Sequence, residues 1–227
     1  MLQQRLGLSL PTIKPLGGWT PIEEASLVAW YAYRIDITSA LNKVSKWGDQ
    51  SSNNNHLVQS NSAEMPTNGT GADNGTITFD DTRPDNLDTT AQISLTGDLT
   101  IGIRLNITTA GKTIIADNTS AGEFLKSVDT TNLRFKFDGK TVDLALDTGT
   151  LGDGNLVITR TSNEWEVWWN TILQTDTEVQ SGTVLLDNVG VRRTDINAFE
   201  GTIKEIQIYS AANASLTSEV INRLKSL

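Results

Sequence analysis

Cysteine is missing altogether from the 227 residues. Its absence excludes disulfides, thiolate metal sites and a cysteine nucleophile, and folding needs no oxidising compartment. Histidine occurs once, as His56, which leaves no multi-histidine zinc site and no Ser-His-Asp set to choose from. Basic runs are absent too. With 18 Lys and Arg against 27 Asp and Glu, the net charge is −9. Phosphate backbones call for a basic patch, so nucleic acid is not an expected partner. No apolar stretch approaches the ~20 residues of a membrane span. The leading "MLQQRLGLSLPTIK" is broken by glycine, serine and proline and lacks the continuous apolar core of a secretory signal. The expectation is a chain made in a cytoplasm and kept whole. "DTGTLGDGN" is glycine-rich, but without a Lys-Ser/Thr ending or a following helix it is no phosphate loop.

What is present is a period of two. "LVAWYAY", "TITFD", "LTIGIRLNI", "LRFKF", "NLVITRT", "EWEVWWN" and "TIKEIQIY" are short, rich in β-branched and aromatic residues, and bounded by Gly, Asn, Asp and Thr. Asp138-Gly139 between two alternating runs signals a tight hairpin, and Ser162-Asn163 reads as a second one. So many strands at this spacing predict an all-β fold, a jelly-roll sandwich of two antiparallel sheets. One helix is expected, in "SLTSEVINRLKSL", capped by Thr217, with Val220, Ile221, Leu224 and Leu227 on its apolar side; it should lie across a sheet edge or end. Residues 1–26 are different. They hold Pro11, Pro15 and Pro21, three of the five prolines, and predict an extended amino-terminal arm ahead of a domain at 27–227, with a short helical turn at "TPIE".

Four segments in order resemble one family. "WTPIEEASLVAWYAY" is similar to a W-x-P lead and first strand, and "VSKWGDQSSNNNHLVQ" to a W-x-D-x-S-G-N-x-N-H-L element. "TITFDDTRPDNLDT" is similar to F-D-G-x-D-x-L, and "FEGTIKEIQIYSAANASLTSEVINRL" to a closing strand and helix. Together they resemble the concanavalin A-like lectin/glucanase domains, in particular the laminin-G-like branch. Ser52 and Asp81 stand where that pattern has glycine; both residue types still tolerate turns. The leucine-rich amino terminus with its W-x-P lead resembles virion proteins of tailed phages.

Candidate chemistry is sparse. Glu164 and Glu166 lie about 6.5–7 Å apart along one strand face, but the third position of a glucanase-like acid triplet is Trp168. We therefore expect no enzyme. Asp49 and the Ser/Asn run after it suit a turn whose side chains bond their own backbone. Asp36, Asp49, Asp80, Asp81, Asp85 and Asp88 could offer oxygens to calcium, yet no spacing specifies a cage, so neither metal nor cofactor is assigned. Trp165, Val167 and Trp169 share the face expected in the core, which leaves Trp168 on the other face as the candidate sugar-stacking residue.

The arm carries Leu2, Leu6, Leu8, Leu10, Ile13, Leu16 and Trp19 among prolines and glycines that deny them a core of their own. They must pack along their own sandwich or dock on another subunit. With the phage resemblance, the expected function is a non-enzymatic virion structural protein, a decoration or fiber component of capsid or tail. It would be anchored by the arm, homo-oligomeric, and in contact with other virion proteins. The alternative is a carbohydrate-binding adhesion domain for host-surface glycans.

Overall fold

The computed structural model describes residues 18–119, 124–192 and 197–227. Leu2, Leu6, Leu8, Leu10, Ile13 and Leu16 lie outside the described residues. The fold is the expected all-β sandwich with a carboxy-terminal helix.

One sheet runs Leu27–Tyr31, Gly201–Tyr209, Leu99–Ile107, Asp153–Thr161 and Glu164–Trp169, every neighbour antiparallel. The facing sheet runs Leu87–Thr96, Thr183–Val189, Thr113–Ala116, Phe124–Ser127, Asn132–Phe137 and Lys140–Ala145. Alternation puts Ile101, Ile103, Leu156, Ile158, Trp165 and Val167 of the first sheet into one core with Leu95, Leu133, Phe135, Phe137 and Val184 of the second. Trp165 bridges the layers, its ring centroid 5.1 Å from Phe135 and 4.9 Å from Phe137. Arg160 is buried beside it, with its guanidinium donating to the carbonyls of Gly97, Gly182 and Leu95. That cation ties together the turns at one end of the sandwich.

The two sides of the sandwich are closed differently. On one side Lys43–Trp47 pairs with Leu57–Val58 and so reaches Leu87–Thr96 of the second sheet. Through Thr67–Asn68 and Ile77–Phe79 the same strand also reaches Gly201–Ile203 of the first sheet. Backbone hydrogen bonds thus pass continuously from sheet to sheet. On the opposite side the margin is latched by side chains. Glu178 accepts from the Asp143 N–H at 2.8 Å, and Asp176 from the Ala145 N–H at 2.7 Å.

Both expected hairpins form, with positive φ at Asp138 and Gly139 and at Ser162 and Asn163. The short helical turn expected at "TPIE" forms as a 3-10 turn at Pro21–Glu23, although the Thr20 side chain makes no cap bond.

The helix spans Ala214–Lys225. Its cap is Asn213, whose side chain accepts from the Leu216 N–H at 2.9 Å; Thr217, the expected cap, lies inside the first turn and donates back to the Asn213 carbonyl. The helix also lies on the outer face of the first sheet and not across an edge or end. Val220 and Leu224 pack with Val157 and Tyr209 there. Gly102 allows this approach, because a Cβ at that position would come within 2.4 Å of Val220. Polar anchoring comes from Arg223, which donates to Glu205 through two nitrogens at 3.0 and 2.9 Å. Glu205 has no exposed surface, and it also accepts from Gln207, which accepts in turn from the Tyr209 hydroxyl. Burial and the Glu205 charge push the Tyr209 hydroxyl far above its usual range. Removing the cation strands a buried carboxylate. Arg223→Met should lower unfolding free energy by about 3–5 kcal/mol. Urea denaturation should show Glu205→Gln in the same chain recovering part of that loss.

Candidate functional site

The helix covers the Glu205–Tyr209 half of the Gly201–Tyr209 strand. At the other half a row of polar side chains crosses four strands in register: Thr78 opposite Thr202, Thr202 opposite Asn106, and Asn106 opposite Asp153. Their neighbours Ile77, Ile203 and Leu105 point into the core, so period-two alternation turns the row outward. A groove of about 460 Å³ lies over it.

Its walls are built locally. The segment around the 3-10 turn Gly71–Asp73 contributes Thr70, Asp73 and Thr76. Arg34 holds that segment by donating to the carbonyls of Asn74 and Ala72. The opposite wall is Lys204, whose Nζ donates to the Leu227 carbonyl at 3.0 Å and lies 5.4 Å from the Tyr33 ring centroid. Arg34 stacks on the same ring at 4.8 Å, so Tyr33 is held between two cations and is not an open platform. Arg104 pairs with Asp153 at 2.7 Å. Among the described residues, Thr78, Thr202, Asn106 and Asp73 make no side-chain hydrogen bond, and the buried Thr76 hydroxyl has no partner. The groove therefore offers hydroxyl donors and acceptors, an amide and a carboxylate at one surface.

Trp165, Val167 and Trp169 are buried in the core, and Trp168 is on the outer face as expected, but half-buried against the helix cluster. The hollow beside it is about 180 Å³, and its rim residues Asn213 and Thr217 already serve the helix cap. Glu164 is exposed at the hairpin, and Glu166 accepts from Thr159 at 3.4 Å. Trp19 is partly buried against the helix cluster of its own domain.

The Asp49 loop is architecture. Its carboxylate accepts from the N–H groups of Trp30, Ser51 and Asn55 and from the Ser51 hydroxyl, at 2.7–2.9 Å. His56 Nδ1 accepts from the Asp49 N–H. The other acids weighed for calcium each have partners: Asp36 with Lys46, Asp80 and Asp85 with Arg83, Asp81 with Lys112, and Asp88 with the amides of Asn118 and Asn188. Among the described residues no group of three or more such ligands could hold a metal.

Sequence reasoning missed the groove because each contributor is an ordinary outward residue of its strand. Only the register between strands far apart in the chain unites them.

No family model matches the chain, and no curated protein matches its sequence. Solved structures match in fold. The chain is similar to domain 4 of AbnA, a GH43 extracellular arabinanase from Geobacillus stearothermophilus, solved in complex with arabinotriose. The TM-score is 0.56 and the identity 16%, over 88% of this chain and 98% of that one. It is also similar to Trypanosoma rangeli sialidase in complex with the inhibitor DANA, with a TM-score of 0.55 and 11% identity, covering 89% of this chain but 33% of that one. A third, the CBM40 of Ruminococcus gnavus IT-sialidase bound to alpha2,3 sialyllactose, aligns over 57% of this chain at a TM-score of 0.44 and 15% identity. At these identities the likeness is one of fold.

Beside the groove, the Asp80–Asn86 loop carries a buried carboxyl with a pH signature. Burial pushes Asp85 up to about 6, against the pull of Arg83 and Lys43. The folded state then binds a proton that the unfolded chain has already released. This contribution is present at low pH and is lost as pH rises between about 4 and 6, by at most about 3 kcal/mol. Asp85→Asn should flatten that part of the stability profile, measured by thermal melts from pH 4 to 7.

Proposed function

We propose that this chain is a non-catalytic carbohydrate-binding domain and that the groove over Thr78, Thr202, Asn106 and Asp153 is its sugar site. The observation that carries this reading is the in-register row of outward polar groups, of which Thr78, Thr202 and Asn106 make no side-chain hydrogen bond among the described residues, with Asp153 beside them held by Arg104. A sugar presents hydroxyls that each donate and accept, and the row answers with threonine hydroxyls, an amide able to do both, and carboxylate acceptors. The fold shared with a domain solved with arabinotriose supports the same reading.

Catalysis is not part of it. Glu164 and Glu166 lie on the half of the sheet next to the helix, away from the groove, and Glu166 is engaged by Thr159. The expectation of a virion component rests on the leucine-rich arm and its W-x-P lead; of the arm's apolar residues Trp19 lies within the described structure, partly buried against the helix cluster of its own domain, and no geometry of the described domain favours a virion role over sugar binding.

Titration calorimetry against sugars selected on a glycan array tests the site. Asn106→Ala with Thr202→Ala should weaken binding at least about tenfold, near 1.4 kcal/mol, while the melting temperature stays close to that of the parent. Trp168→Ala should leave affinity unchanged. Binding lost in Trp168→Ala and kept in the groove variant would move the site to the hollow beside the helix.

A further inference from the structure

The groove does not end at the Thr78–Thr202 pair. A second hollow of about 340 Å³ lies on the far side of these two threonines, bounded by Asp80, Thr108, Glu200 and the backbone of Gly201. Thr78 and Thr202 line both hollows and face each other across paired strands, so they form a low saddle between the two. From Glu200 to Lys204 the supporting strand advances about 13 Å, more than one sugar ring can fill. Beneath the saddle the paired strands approach closely. Gly201 has φ +153°, and a Cβ there would come within 2.1 Å of the Asn106 carbonyl oxygen.

Charge narrows the occupant. Asp153 is matched by Arg104, and Asp80 by Arg83. Lys204 gives its ammonium to the Leu227 carbonyl and the Tyr33 ring. Asp73 and Glu200 remain as carboxylates without a cation among the described residues. The two hollows thus offer acceptors for hydroxyl protons and, among the described residues, no uncommitted cation for an anionic sugar, in a chain of net charge −9.

We infer that the paired hollows bind a neutral, linear oligosaccharide along its length, across the Thr78–Thr202 saddle, and not a single terminal or acidic sugar. This deepens the proposed function and rests on the groove being the sugar site.

The test is titration calorimetry of the full chain with neutral arabino-oligosaccharides of increasing length, beside sialyllactose as the acidic probe. Affinity should climb about tenfold or more from the monosaccharide to the chain that spans both hollows and then level off, with sialyllactose weaker than neutral chains of equal length. Glu200→Ala, in the second hollow, should erase most of that gain while leaving the shortest binding ligand unaffected; Asn106→Ala, in the first, should weaken every length. Melting curves establish that both variants are folded. Affinity independent of length, a Glu200→Ala variant with the parent's length profile, or sialyllactose as the tightest ligand would overturn the inference and leave sugar binding standing. Absence of binding to every sugar of a broad glycan array would overturn both.

Discussion

A buried ion pair decides which surface of this domain is available. Glu205 sits on the outer face of the first sheet with no access to water, and that is tolerable because Arg223 meets it with two hydrogen bonds while the Gln207 amide and the Tyr33 N–H also donate to it. The pair fixes the register of the helix against the sheet, and Gly102 lets the helix seat deeply. One half of the face is thereby covered and the other half left open. Trp168 falls on the covered half, Thr202 and Asn106 on the open half.

Much of the architecture was legible in the chain because alternation is a local signal. The inward set Trp165, Val167 and Trp169 and the hairpins at Asp138-Gly139 and Ser162-Asn163 all follow from neighbouring residues. The hairpin between Ile37–Ala40 and Lys43–Trp47 was not legible. Its turn places Leu41 and Asn42 at positive φ, and leucine is a poor candidate for that region. Leu41 is also 99% exposed, so neither conformation nor burial accounts for the choice of residue there. The helix cap was missed by four residues because Asn213 and Thr217 are both plausible caps, and only the direction of the chain leaving Tyr209 decides between them.

The candidate site was the least legible part. Trp168 drew attention as a large aromatic on the outward face, a property visible within one strand. The groove depends on Thr78, Asn106, Asp153 and Thr202, which are brought side by side by three strand pairings between segments far apart in the sequence. Each is unremarkable alone. Asp49 was the reverse case, legible as a local turn former and found with three local hydrogen bonds and a fourth from the Trp30 N–H of the first strand.

The unequal closure of the sandwich makes the molecule mechanically lopsided, like a book bound along a single spine. Where Ile77–Phe79 joins Gly201–Ile203, separating the layers means breaking a backbone ladder; at the Asp143–Glu178 margin it means releasing side-chain latches. Breathing motions should therefore begin at the latched margin and fade towards the bound one. Thr78 and Thr202 stand on the bound side. A ligand settling there meets a floor that is already stiff, and little ordering entropy is left for binding to overcome.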